Sequence, residues 1–213
     1  MYISEQEAQD RINSREKITP EWQLFNPDSA YADADTLERY LPALEIYKTA
    51  LTEKWDIQQC MDSGICYMTG WLTENPEDLG ACFLDLDEDG VKELLVVNGG
   101  TIYDLYTLKN GVPVLILSGG ERNHFALCRD NYIINHGSGS AFWSVFNCYV
   151  LRQGELILVE SVISDYQQDP ENPFFRSPDG ETLGEPLTQD QADAIREGYV
   201  PITVSATPVL ELG

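Results

Sequence analysis

The chain is poor in positive charge and nearly without histidine. Its 213 residues include 13 Lys and Arg against 36 Asp and Glu, a formal net charge of −23, and only two histidines. Such a surface repels nucleic-acid backbones and anionic membranes, so neither is an expected partner. No apolar run approaches the ~18 residues of a membrane span. Met1-Tyr2-Ile3-Ser4-Glu5 lacks the basic start and apolar core of an export signal. That leaves two expectations: a cytoplasmic protein, or an extracellular or cell-surface one whose leader precedes the present start. Neither Gly-x-Gly-x-x-Gly nor Gly-x-x-x-x-Gly-Lys occurs, which excludes those two phosphate cradles. The five cysteines (Cys60, Cys66, Cys82, Cys128, Cys148) are odd in number and show no Cys-x-x-Cys spacing, so neither a disulfide framework nor a zinc site is expected. Pairing of Cys60 with Cys66 in an oxidising compartment stays open.

With two histidines, base catalysis has few candidates. His124 and His136 flank short apolar runs and read as strand-end histidines bonded to nearby carbonyls. His136-Gly137-Ser138-Gly139-Ser140 lacks the Gly-x-Ser-x-Gly elbow and sits between strands, so no serine-hydrolase triad is expected. Carboxylates are so numerous that a glycosidase pair can always be selected, which makes such a selection uninformative.

What the sequence does have is one concentrated motif, Phe83-Leu84-Asp85-Leu86-Asp87-Glu88-Asp89-Gly90-Val91-Lys92-Glu93-Leu94-Leu95-Val96-Val97. Calcium takes six to eight oxygens, and a short loop with acidic side chains at positions 1, 3 and 5 supplies several from one side. Asp85, Asp87 and Asp89 fill those positions. Gly90 allows the sharp turn, Val91 offers its backbone carbonyl, and Glu93 binds directly or through water. Position 12 is Val96 where an EF-hand needs a bidentate Glu, so helix-loop-helix is not expected. The apolar runs Ala81–Leu84 and Leu94–Val97 read as strands, which places the ion in a β-loop-β corner.

Asp-x-Asp-x-Asp-Gly-x-x-Glu-Leu between two strands resembles the calcium loop of FG-GAP repeats and shares its first half with dockerin loops. Together with Ile102-Tyr103-Asp104-Leu105-Tyr106 and Lys109-Asn110-Gly111, it also resembles uncharacterised surface or lipoprotein-type proteins of Gram-positive gut bacteria. The resemblance implies a calcium-binding, β-rich, exported domain, and carries no activity with it.

The rest reads as a single α+β domain over 33–213 behind a polar N-terminal arm at 1–32, with Trp22, Leu24 and Phe25 as tethers. The helical part, 33–80, opens on a helix that Asp35 caps with Glu38 three residues on. Leu37, Leu41, Leu44, Tyr47, Leu51 and Trp55 form its apolar face, and Pro42 is expected to kink or restart it. From 81 to 165 about eight short runs between turns read as a curved antiparallel β-meander, with a type I′ hairpin at Asn110-Gly111. The region 166–213 holds a Pro- and Asp-rich loop, a helix opened by Thr188 and Gln191, and a last strand at Ile202-Thr203-Val204. Aromatics suggest a ligand surface: Tyr103 and Tyr106 near the loop, and Trp143 and Tyr149, which share one strand face.

The functional expectation is a non-enzymatic extracellular module in which calcium stabilises a β-loop-β corner while another surface takes a protein or carbohydrate ligand. The alternatives are a hydrolase of extracellular polymers using clustered carboxylates and a cytoplasmic acidic inhibitor or immunity-type protein.

Overall fold

The computed structural model describes residues 32–213. The expected arm therefore lies outside the described residues, apart from Ala32. Helix α1 (Ala34–Thr52) is capped by Asp33, whose carboxylate accepts the Thr36 N–H at 2.7 Å. The cap is two residues earlier than expected, because Asp33 is the residue with extended backbone while Asp35 is already helical. Pro42 neither breaks nor restarts the helix. Its ring lies on the exposed side, and the face opposite buries Tyr40, Leu44, Tyr47 and Leu51, so packing outweighs the lost hydrogen bond. A short helix α2 (Ile57–Asp62) follows, closed at its start by a reciprocal Asp56–Gln59 capping box.

The strands are β1 (Gly80–Leu84), β2 (Glu93–Asn98), β3 (Thr101–Lys109), β4 (Val112–Ser118), β5 (Asn123–Leu127), β6 (Tyr132–Ser138), β7 (Trp143–Arg152), β8 (Glu155–Asp165), β9 (Phe174–Arg176) and β10 (Thr207–Pro208). Helix α3 (Gln189–Glu197) lies between the last two and has the expected Thr188–Gln191 capping box. All pair antiparallel in one open sheet of order β10-β1-β2-β3-β5-β6-β7-β8-β9, with β4 as a hairpin on β3. Eight strands fill residues 80–165 as the meander reading has it, but β9 and β10 raise the total among the described residues to ten. The expected strand at Ile202–Val204 does not form. Pro201 cannot donate to a ladder, and the segment is tied by one bond, Ile202 N–H to Leu127 C=O at 2.8 Å. The Asn110-Gly111 turn has φ of 54° and 77°, as a type I′ turn requires.

The sheet curls. Its first face, with Phe83, Leu94, Val96 and Tyr106, packs under α1 against Tyr40, Leu44 and Tyr47. On the reverse, concave face Leu84, Leu95 and Leu105 meet Leu127, Ile133 and Leu151 from β5, β6 and β7, so the two halves of one sheet share a core. A third cluster sets α3, through Ala192, against Ile134, Phe146 and Val162 on the outer side of β6, β7 and β8. Apolar residues on both sides of the central strands explain their nearly continuous hydrophobic runs.

Candidate metal centre

The Asp-Gly loop joins β1 to β2, which pair in register from Gly80–Val97 to Leu84–Glu93. It forms bends and no helical turn. Leu86 is the pivot: its side chain is buried among the concave-face residues, and its N–H donates to Glu93 Oε2 at 2.9 Å. Burying Leu86 turns its neighbours Asp85 and Asp87 the other way, toward one another. The chain then reverses through Glu88 at φ 60° and Gly90 at φ 88°. Both are left-handed values, and at Gly90 a side chain would carry a strain cost.

Asp85 organises the turn. Its Oδ1 accepts the Asp89 N–H at 3.1 Å and its Oδ2 the Gly90 N–H at 3.0 Å. Asp89 Oδ1 accepts the Val91 N–H at 2.7 Å. The outcome is one carboxylate oxygen from each of Asp85, Asp87 and Asp89 within 4.8 Å of the others. Three like charges at that spacing repel, and Asp87 adds a further cost: its Oδ1 is buried with no hydrogen-bond partner. A cation with a preference for oxygen removes both penalties. The residues present thus fit a metal ion, and this group can hold one.

Glu93 stands outside that trio. Its carboxylate is buried, with Oε2 on the Leu86 N–H and Oε1 on the Thr107 hydroxyl at 3.0 Å. Burial pushes it up to about 7, and the negative charges of Asp87 and Asp89 add to the rise. Its observed work is to lock the loop to β3. Val91, half-buried, ends the turn two residues before β2.

The corner touches two distant turns. Asp87 Oδ2 accepts the Gly154 N–H of the β7–β8 hairpin at 3.4 Å, and the Asp85 carbonyl accepts from Asn131 Nδ2, before β6, at 3.5 Å. Both bonds are long. Each is a weak tie, one to the Asp87 carboxylate and one to the Asp85 backbone.

Two of the four expected ligand-surface aromatics are misplaced by the sequence reading. Tyr103 and Tyr106 are buried, and the Tyr106 hydroxyl lies 2.8 Å from that of Tyr47 inside the core. Tyr47 also donates to Asp104 Oδ2 at 2.6 Å, so Tyr106 serves a buried polar network, while the Tyr103 hydroxyl accepts from Asn98 Nδ2 at 3.4 Å. Trp143 and Tyr149 do share a face and border one cavity. The same cavity contains residues the sequence reading passed over, Asn123, Asn135 and Asn147. Their twelve-residue spacing was the available signal, since it places one amide on each of three successive antiparallel strands.

The histidines also differ from expectation. His124 and His136 sit inside β5 and β6 as direct cross-strand partners, both exposed. His136 packs its ring on Phe146 at 5.1 Å, and partial burial with Arg196 and His124 nearby lowers its proton affinity. All five cysteines are buried free thiols. Among the described residues no helix is long and apolar enough to cross a membrane.

Fold and site together define an α+β protein, mostly antiparallel sheet, with an aspartate-lined corner able to hold a metal. No protein-family model, curated protein or solved structure matches the chain.

Proposed function

We propose that the Asp85–Asp87–Asp89 corner binds calcium, and that the ion stabilises a non-enzymatic binding module acting outside the cell or at its surface. The observation that carries this is the buried, partnerless Oδ1 of Asp87, one of the three aspartates whose carboxylates converge. An all-carboxylate, carbonyl-supplemented donor set with a glycine turn suits a hard ion of high coordination number. The Val91 carbonyl, Glu93 through water, and solvent would complete the shell around the three aspartates. The resemblance of the loop to FG-GAP repeats supports the same ion and an exported setting. Affinity belongs in the extracellular range of about 10⁻⁴–10⁻³ M, because no bidentate glutamate closes the site.

A non-enzymatic role agrees with the state of Asp179, the acidic residue bordering the Trp143 cavity whose bonding is most complete. Its carboxylate accepts the N–H groups of Glu181 and Thr182 and the Thr182 hydroxyl, and these bonds hold it down at about 2. A group so fixed as an anion is a poor general acid.

Calorimetric titration tests the metal reading. Calcium should bind at one site per chain, and magnesium, which keeps its own water shell, should bind far more weakly. Absence of any calcium heat at millimolar concentration would refute it.

A further inference from the structure

We propose that the mouth of the curled sheet binds a neutral sugar. The concave face is graded along its strands. On β7 it runs from Leu151 in the core through Tyr149 and Asn147 to Trp143; on β6 from Ile133 through Asn135 to Gly137; on β5 from Leu127 through Phe125 to Asn123. Past the apolar floor lies a belt of amides, and past the belt an indole. The belt is continuous in register, since Asn135 faces Asn147 across β6 and β7, and Asn135 Nδ2 donates to Asn123 Oδ1 at 2.7 Å.

Two features mark this as a site and not a filled core. Asn147 lines the cavity and is 6% exposed, yet its Oδ1 is buried with no hydrogen-bond partner. Leaving such an acceptor unmade is costly, so a ligand donor that reaches it gains what the fold alone forfeits. Secondly, two lining positions admit no side chain. A Cβ at Gly137 would fall 2.8 Å from Val145 Cγ1, and one at Gly180, itself at φ 86°, would fall 3.0 Å from Asn147 Oδ1. The cavity of about 450 Å³ lies in the range of small-molecule sites.

The lining selects the ligand class. Each amide offers donors and an acceptor together, which matches hydroxyl groups that do the same. Trp143 is backed by Gly139, where a Cβ would meet its ring at 3.0 Å, and so forms a fixed apolar plate for the C–H face of a pyranose. An anion finds only Arg122, next to the acidic Asp179 and Glu181. A peptide strand needs a free sheet edge, and this is a sheet face. The inference gives a ligand to the module of the preceding subsection and rests on its non-enzymatic reading, but not on its metal.

The test is a titration of the whole chain with maltose, cellobiose, lactose and N,N′-diacetylchitobiose, in calcium and in EDTA. Tryptophan fluorescence and saturation-transfer NMR supply the readouts. At least one sugar should bind with Kd of about 1 mM or tighter, and Trp143→Ala should weaken it about tenfold or more. Asn147→Ala removes a buried group and can unfold the chain, so the exposed Asn123→Ala serves as the second variant, with a weakening of about threefold expected. Tyr166→Ala, on the outer face, should change nothing. Sugar binding that persists in EDTA supports the site even if calcium proves irrelevant. A calcium-shifted melt with no sugar bound at about 10 mM overturns the site and leaves the metal reading intact. Binding indifferent to Trp143→Ala and Asn123→Ala, or binding of unstructured peptides in place of sugars, also overturns it.

Discussion

Asp87 joins the two halves of the account, because one of its oxygens reaches the Gly154 turn while the other is buried with nothing to accept. Replacing it with Asn keeps the shape and removes one of three mutually repelling charges. In EDTA, Asp87→Asn should melt at or above the wild-type temperature; in calcium it should lose at least about tenfold in affinity, or ~1.4 kcal/mol of the calcium-dependent stabilisation. Paired thermal melts check both directions, and a variant that keeps the full calcium shift would remove Asp87 from the site. At this scale the aspartates were legible because alternate spacing and a glycine are a local pattern. Glu93 was legible as a nearby carboxylate but not as one already bonded by Leu86 and Thr107, since that depends on the register of β1, β2 and β3. Tyr103 and Tyr106 were misread for a related reason. With α1 on one face and β5 to β7 on the other, both sides of β3 are interior, and alternation no longer separates inside from outside.

Elements were easier to read than partners. The Asn110-Gly111 hairpin and the Thr188–Gln191 cap follow from local chemistry and form as expected. Strands β9 and β10 were hidden, since three residues in a Pro- and Asp-rich loop and two that include Pro208 carry no periodicity and exist only because β8 and β1 offer edges. Helix α1 shows the converse, a strong local signal overruled by packing. Its continuity through exposed Pro42 means the helix bears a missing hydrogen bond there. Pro42→Ala should therefore stabilise the protein, by about 1–2 kcal/mol once the added freedom of the unfolded chain is subtracted. Urea denaturation measures it. A loss of stability would mean the ring makes a contact that the helix needs.

The whole molecule carries a formal net charge of −23, and two of the carboxyls counted in it, Asp104 and Glu93, are buried. Burial raises Asp104 to about 6 and Glu93 to about 7, and Asp104 Oδ1 has no partner. Both folded values exceed the ordinary ones, so between them the native state binds more protons than the unfolded chain, and stability rises as pH falls from about 8 toward 5. In EDTA, unfolding free energy should be greater at pH 5 than at pH 8 by on the order of a few kcal/mol, and Asp104→Asn should flatten the slope. A chain more stable at pH 8 would contradict this. The same excess of negative charge is what makes a divalent ion at one corner matter to the entire sheet, for that corner meets the turns before β6 and between β7 and β8. The decisive measurement is differential scanning calorimetry at neutral pH in calcium and in EDTA. With Kd of about 10⁻⁴–10⁻³ M, calcium at about 10 mM stabilises by roughly 1–3 kcal/mol, a rise of about 3–10 °C for a domain of this size. Melting curves that superimpose in the two buffers would contradict it.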